Sequence, residues 1–203
     1  MAQREGFRFY HSRLLFLVVA ILLTGCCART PAVHYYQLAA ADTDHALPAA
    51  KNIGDAVIGI GPVRLPEFLD RPQIVIRQGA HALRLSDRHR WAEPLADNIS
   101  RVLRENLAVL LNTERLLLYP WGRSVAVDYQ LLVEVIRFEE DAAGAAHLEA
   151  VWSVQDRRGK MLLPQRRSRY QVVASSPDPE GRVGALSETL HLLCRQIARE
   201  LVQ

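Results

Sequence analysis

The chain has 203 residues, of which 49% are hydrophobic and 23% are charged. This composition excludes a disordered chain, and the length suffices for one domain with a hydrophobic core but not for two large ones. The formal net charge is only +3 and no long run of Lys and Arg occurs, so no nucleic-acid partner is expected.

The first 25 residues predict a lipoprotein signal peptide. Arg4, Arg8 and Arg13 make the start positively charged, and an unbroken apolar run of ten residues follows at 14–23. Ten helical residues rise about 15 Å, half of the hydrocarbon core of a bilayer, so a stable transmembrane helix is not expected. A positive start followed by a short apolar run is typical of a signal peptide.

The sequence at 23–26, Leu-Thr-Gly-Cys, resembles the lipobox of bacterial lipoproteins. The resemblance implies that Cys26 becomes the first residue of the mature chain and carries a covalent diacylglycerol and an N-acyl chain, which anchor the protein to a membrane. Lipidation at Cys27 is the weaker alternative, because its box lacks the apolar first residue. A second alternative is an ordinary signal peptide in which the Cys occurs by chance. Because the residue after Cys26 is not Asp, the resemblance favours the outer membrane.

The segment at 26–52 is expected to hold the lipidated Cys, a tether and a first short strand at 33–38, followed by a loose loop. A single α+β periplasmic domain is predicted at 53–203. Its first strands are short and are separated by Gly and Pro, a pattern typical of hairpins. These strands are predicted at 56–60, 73–77 and 82–85.

Two amphipathic helices are predicted. The first opens at Pro94, whose missing N–H costs nothing at a helix start, and ends near Asn112. The second begins with Asp178 as its N-cap and Pro179 at its first position. Apolar residues recur at intervals of three and four in both segments, so each helix is expected to bury one face.

A short strand at 116–119 and a three-strand meander lie between the helices. Every second residue of each meander strand is apolar, which indicates one buried face. The acidic residues Glu139, Glu140 and Asp141 stand at the first meander turn and are interpreted as a solvated turn. About eight strands and two long helices predict an α+β fold with two layers, a mostly antiparallel sheet and both helices packed on one face.

The cysteines do not indicate a disulfide-rich fold. Cys194 falls on the apolar stripe of the second helix and is expected to be a small core residue. A disulfide between Cys27 and Cys194 in an oxidising compartment is the alternative. No group of His, Cys and Asp residues has metal-ligand spacing, so no metal site is predicted.

Two sequence blocks carry a resemblance to a known family. Residues 69–75 read LDRPQIV and residues 90–95 read RWAEPL. In this order and together with the lipobox, they resemble the PqiC-type lipoproteins, which are the ABC-type transport auxiliary lipoproteins or membrane integrity-associated transporter subunits. The resemblance covers nearly the whole chain and includes Tyr35-Tyr36 and the segment at 137–139.

The resemblance implies an outer-membrane-anchored periplasmic lipoprotein that serves as an accessory subunit of an MCE-type intermembrane lipid transport system. Its partner would be an MCE-domain protein of the inner membrane and periplasm, and some family members form homo-oligomeric rings. The alternative is a structural or assembly lipoprotein of an outer-membrane machine with no role in lipid transport.

An enzyme is not expected. Ser86, Asp87 and His89 are residue types found in hydrolases, but their neighbouring positions do not make a catalytic site, and no catalytic motif occurs in the chain. The family carries no known catalytic residues, and apart from the covalent lipid on Cys26 no cofactor is expected.

Five residues of the two blocks are candidates for contact with the partner: Asp70, Arg71, Pro72, Arg90 and Trp91. Arg71 either forms a structural ion pair with Glu93 or Glu67, or binds a carboxylate of the partner. Trp91 either anchors the packing at the entry to the first helix or contacts the partner. Trp and Arg are enriched among the residues that dominate protein interfaces.

Overall fold

The protein is described by a computed structural model, which covers residues 31–41, 55–122 and 124–202. The predicted signal peptide, Cys26, Cys27 and most of the predicted loose loop lie outside the described residues.

The described part of the chain contains eight strands and two helices, in the predicted order. The strands are β1 (His34–Tyr36), β2 (Ile58–Arg64), β3 (Gln73–Arg77), β4 (Leu83–Trp91), β5 (Leu116–Leu118), β6 (Tyr129–Asp141), β7 (Ala145–Asp156) and β8 (Met161–Val173). The helices are α1 (Leu95–Leu111) and α2 (Pro179–Leu201). Neither helix combines the length and the hydropathy needed to cross a membrane.

Both helices start, and α1 ends, where local chemistry predicts. Helix α1 follows Pro94 and stops at Asn112, which adopts the left-handed conformation at φ 49°. At the start of α2, the carboxylate of Asp178 accepts the N–H of Gly181 at 2.7 Å, and Pro179 occupies the first helical position. This hydrogen bond lowers the pKa of Asp178 from its ordinary value.

One hydrophobic core joins the buried faces of both helices to the sheet. Helix α1 contributes Ile99, Leu103 and Leu107, while α2 contributes Leu190 and Leu193; each of these side chains is fully buried. Such packing of apolar faces accounts for most of the stability of amphipathic helices in proteins. The predicted core faces of both helices are therefore confirmed.

The sheet is mixed, so the α+β class is confirmed but the mostly antiparallel arrangement is not. The meander strands β6, β7 and β8 pair antiparallel, as do β3 and β4. The other four pairings are parallel: β1 with β4, β2 with β5, β2 with β6, and β3 with β6. Only strands joined by short turns are forced to run antiparallel, and the parallel partners are joined by longer connections.

Strand β6 organises the sheet. One of its edges pairs with β2 opposite residues 129–134 and then with β3 opposite Glu140 and Asp141. Its other edge pairs with β7 along almost its whole length. Because one edge serves two strands in succession, the sheet curls and does not form one flat layer.

The β3–β6 junction is short: it consists of the register pairs Ile76–Glu140 and Arg77–Asp141. It joins the β1–β4–β3 part of the sheet to the remaining strands. The junction is reinforced by the two glutamates at the end of β6. Glu139 has no exposed surface and accepts hydrogen bonds from Nε of Arg77 at 2.7 Å and Nε of Arg137 at 2.8 Å.

The second glutamate, Glu140, is also buried and accepts a hydrogen bond from Nη1 of Arg182 on α2 at 2.9 Å. The interpretation of Glu139 and Glu140 as a solvated turn is therefore wrong. Strand β6 continues to Asp141, and the turn lies at 142–144, with Gly144 at φ 84°. Arg77 and Arg182, which are distant in the sequence, help to compensate the buried carboxylates, and local sequence does not reveal these pairs.

Polar side chains of α1 hold the residues that follow β1. The N–H of Leu38 donates to Oδ1 of Asn98 at 3.1 Å, and the carbonyl of Leu38 accepts from Nη2 of Arg101 at 2.7 Å. The N–H of Ala41 donates to Oδ1 of Asn106 at 2.9 Å. We call Asn98, Arg101 and Asn106 the α1 clamp. The predicted loose loop is thus tied down in its first three residues, at 39–41.

Replacing Glu139 by Ala tests the β3–β6 junction. The change leaves two arginines without their buried partner, so we expect a loss of about 3–5 kcal/mol in the free energy of unfolding, measured by urea denaturation. Glu149→Ala is the matched control, because Glu149 also accepts from two arginines, but those are exposed on the sheet surface. We expect this control to lose about 1 kcal/mol. Equal losses in the two variants would contradict the special role of the junction.

The buried thiol of Cys194 gives a second test. Burial raises its pKa to about 12, so the thiolate that reacts with thiol reagents is scarce at neutral pH. In a variant whose other two cysteines are replaced (Cys26→Ser, Cys27→Ser), we expect no reaction with Ellman's reagent in native buffer and one equivalent in urea. Rapid reaction of the native protein would show that α2 does not bury this residue.

Candidate functional site

The two family-like sequence blocks meet at one end of the sheet. Strand β4 lies between β1 and β3, with Arg90 opposite Tyr35 on one side and opposite Gln73 on the other. The backbone N–H of Trp91 donates to the carbonyl of Pro72 at 2.7 Å. Residues 70–72 and 90–91, which are distant in the sequence, are therefore neighbours in the fold.

Strand alternation divides these residues between the core and the surface. Trp91 is opposite Tyr36 in the register, and its side chain is only 5% exposed. Tyr35 is opposite Arg90, and its side chain is 64% exposed. Residues opposite each other on neighbouring strands project to the same face. Arg90 and Tyr35 therefore belong to the outer face, whereas the indole of Trp91 packs in the core and offers the partner little surface.

Neither Arg71 nor Arg90 forms a salt bridge with a carboxylate of the described residues. The Nε atoms of both side chains are buried and have no hydrogen-bond partner there. The expected ion pair of Arg71 with Glu93 or Glu67 is therefore wrong.

Other residues occupy the carboxylate of Glu93. It accepts from Nε2 of Gln37 at 3.0 Å and from Arg101 at 3.3 Å. Arg101 belongs to the α1 clamp, and Glu93 lies just before the start of α1. This arrangement leaves Arg71 without the acidic partner that sequence proximity had indicated.

We call Tyr35, Arg71 and Arg90 the arginine patch. Asp70 and Pro72 are exposed beside it, in the loop that precedes β3. Two guanidinium groups without carboxylate partners can bind an acidic group through paired, charge-assisted hydrogen bonds. The exposed tyrosine adds a large contact surface of the kind that is enriched at interfaces. The side chains of the patch are therefore suited to bind an acidic group.

The hydrolase-like residues at 86–89 do not form a catalytic arrangement. The hydroxyl of Ser86 accepts the backbone N–H of His89 at 3.2 Å, and Nδ1 of His89 lies 3.0 Å from the hydroxyl of Tyr36. Asp87 is exposed and contacts neither side chain through a hydrogen bond. Burial, helped by the nearby positive charge of Arg88, lowers the pKa of His89.

Within the described ranges, no three His, Cys, Asp or Glu side chains are grouped as for a metal ion.

Sequence reasoning missed the residues that position the patch. Asn98 and Asn106 are fully buried on the apolar face of α1, where they hold the chain after β1. A signal for them existed, because two asparagines spaced by eight residues interrupt an otherwise apolar helical stripe. Tyr35 was noted only as part of a strand, since its exposure depends on the pairing of β1 with β4.

A family model described as "ABC-type transport auxiliary lipoprotein component" matches residues 36–198, which is most of the chain. The chain belongs to the ABC-type transport auxiliary lipoprotein family. The matched region includes β4, β3 and the loop that carries Arg71, and it ends within α2.

Solved structures share the fold of this ABC-type transport auxiliary lipoprotein. A Xanthomonas campestris protein of the DUF330 family has 18% identity, a TM-score of 0.70, and coverage of 84% of this chain and 95% of its own. An uncharacterised protein has 18% identity, a TM-score of 0.68, and coverage of 84% and 99%. At such identities the likeness concerns the fold alone. No curated protein matches the sequence.

Membership of the family establishes a coarse function. The protein is an auxiliary lipoprotein of a transport system, with a membrane anchor and a domain that faces the periplasm. The members of this family are auxiliary components of transport systems, and it is not a known enzyme family. A docking or supporting role therefore has to be sought on the surface of the domain.

Alanine substitutions distinguish packing from recognition at the patch. Trp91→Ala removes a buried indole, so we expect a loss of about 3–5 kcal/mol in the free energy of unfolding. Arg71→Ala and Arg90→Ala remove no ion pair of the fold, and we expect changes of about 1 kcal/mol or less. Urea denaturation of the three variants measures these values. A large loss for either arginine would show that it stabilises the domain and is not held for a partner.

Proposed function

We propose that this lipoprotein is anchored to the periplasmic face of the outer membrane by a diacylglycerol and an N-acyl chain on Cys26. There it acts as an accessory subunit of an MCE-type intermembrane lipid transport system. The arginine patch docks on an acidic surface of the MCE-domain protein. The observation that carries this proposal is that neither Arg71 nor Arg90 has a carboxylate partner among the described residues.

Charge and burial support docking at this place. An arginine whose Nε is buried without a partner is less stable than one that is fully hydrogen-bonded. A carboxylate from another protein can pair with the guanidinium groups of these arginines in a bidentate geometry. Opposite charges on two surfaces also speed their encounter and select the correct partner.

The patch is held in a fixed position before the partner arrives. Strand β1 is paired with β4, and the α1 clamp fixes the chain immediately after β1. A surface that is already ordered loses little conformational entropy on binding, which favours affinity.

The length of the tether keeps the patch near the membrane. Cys26 lies eight positions before His34, the first residue of β1. Eight residues of fully extended chain span at most about 29 Å. A lipid on Cys26 would therefore hold Tyr35 and Arg90 close to the membrane surface, where the end of a partner that crosses the periplasm arrives.

Docking is better supported than carriage of lipid inside the domain. The apolar faces of both helices are used in the core. Four cavities among the described residues measure from about 130 to about 300 Å³, at or below the lower limit for drug-sized ligands. A homo-oligomeric ring would place several arginine patches around one partner and raise the avidity of binding.

Cross-linking in native membranes, followed by affinity purification and mass spectrometry, tests the proposal. We expect the tagged protein to recover an MCE-domain protein. The double charge reversal Arg71→Glu, Arg90→Glu should reduce recovery at least about tenfold, because it places like charges against an acidic surface. Arg158→Glu is the matched control, since Arg158 is exposed in the turn after β7, and it should leave recovery unchanged.

Two further results bear on the anchor and on the partner. Cys26→Ala should release the protein from the outer-membrane fraction and weaken recovery. Recovery of only outer-membrane barrel or assembly proteins by the unchanged protein would contradict the transport proposal. It would favour the structural or assembly role instead.

A further inference from the structure

A cavity of about 240 Å³ lies between the first turns of α2 and strands β3 and β4. Ile74 and Ile76 of β3 line it together with Val183 and Leu186 of α2, and all four are buried. At about 30 Å³ per water molecule, the space holds about eight waters or a polar organic group of similar volume. It is too small for the acyl chains of a phospholipid.

Glu140 lines this cavity and has an unfilled bonding position. Its side chain is only 4% exposed. One carboxylate oxygen, Oε1, accepts from Nη1 of Arg182 at 2.9 Å. The other oxygen, Oε2, is buried and has no hydrogen-bond partner among the described residues. Buried carboxylate oxygens are normally satisfied, so this one is expected to accept from a donor in the cavity, which is either water or a ligand.

Arg84 provides the opposite charge at the same cavity. In the strand register Ile76 lies opposite Arg84 on one side and opposite Glu140 on the other, so the three residues share one face of the sheet. Two strand spacings place the backbones of Arg84 and Glu140 about 10 Å apart. Arg84 is exposed and forms no hydrogen bond or ion pair with a described residue.

The two groups together define the ligand. Arg182 already binds Oε1 of Glu140, but Oε2 still lacks a donor, and Arg84 has no anionic partner among the described residues. A molecule that carries both charges satisfies both groups.

We propose that this cavity binds a small zwitterion, in which a primary ammonium donates to Oε2 of Glu140 and an anionic phosphate or carboxylate accepts from Arg84. A primary ammonium has three N–H donors, whereas a quaternary ammonium has none. The site therefore prefers ethanolamine-type groups to choline-type groups. Its residues differ from those of the arginine patch, so this inference stands independently of the proposed docking.

Calorimetric titration of the mature protein with small probes tests the site. We expect O-phosphoethanolamine to bind at least about tenfold more tightly than phosphocholine, which lacks N–H donors, or glycerol phosphate, which lacks the cation. Binding of β-alanine with similar affinity would show that a carboxylate replaces the phosphate. Tighter binding of lysophosphatidylethanolamine than of glycerophosphoethanolamine would assign the site to a lipid headgroup, and equal binding to the free zwitterion.

Variants locate the binding in this cavity. Arg84→Ala should weaken binding of O-phosphoethanolamine at least about tenfold. Arg88→Ala is the matched control, because Arg88 is an exposed arginine of the same strand that does not line the cavity. Glu140→Gln should abolish the preference for O-phosphoethanolamine over phosphocholine. If this variant does not fold, the comparison of the two probes on the unchanged protein still tests the role of Glu140.

Three results would overturn the inference. No binding of any zwitterionic probe would mean that the cavity holds only water. Equal binding of O-phosphoethanolamine, phosphocholine and glycerol phosphate would remove the role of Glu140. Unchanged binding by Arg84→Ala would place the ligand elsewhere. None of these results affects partner recovery through Arg71 and Arg90, so the two proposals fail separately.

Discussion

Two adjacent glutamates at the end of β6 hold the sheet together. Strand alternation sends them to opposite faces, where Glu139 is paired with Arg77 and Arg137, and Glu140 with Arg182 of α2. The backbone junction between β3 and β6 is short, and the pair Arg77–Glu139 bridges it, while Arg182–Glu140 ties the end of β6 to α2. Breaking such a pair costs about 3–5 kcal/mol, whereas the rest of the meander is secured by long antiparallel ladders.

The arginine patch depends on that junction and on the α1 clamp. The junction fixes β3 and β4, which bring Arg71 and Arg90 to neighbouring positions. The clamp fixes the residues after β1, which places Tyr35 beside Arg90. The transport auxiliary lipoprotein thus presents Arg71 and Arg90 next to β1, the strand nearest to the predicted lipid anchor. The buried charges belong to the scaffold, and the unpaired charges remain available to a partner.

The parts of the structure that rest on local chemistry were predictable from the sequence. The start of α2 at Asp178 and the turn at Gly144 follow from capping and from backbone freedom, and the apolar periodicity of the helices identified their core faces. The direction of the paired strands was not predictable, because periodicity does not encode it. The burial of Glu139 depends on Arg77, 62 positions away, so the acidic segment resembled a turn. Arg71 and Arg90 are candidates from the sequence alone, but the exposure of Tyr35 beside Arg90 depends on the tertiary fold.

Site-specific photo-cross-linking in intact membranes tests most directly whether this edge of the sheet docks on a transport protein. A photoreactive p-benzoylphenylalanine would replace Tyr35, whose side chain is 64% exposed, and in a control variant it would replace Val109 of α1, which is 40% exposed. Docking through the arginine patch predicts that position 35 cross-links to an MCE-domain protein and that position 109 does not. Cross-links to that protein from position 109 alone, or no protein cross-link from position 35, would contradict docking through this edge.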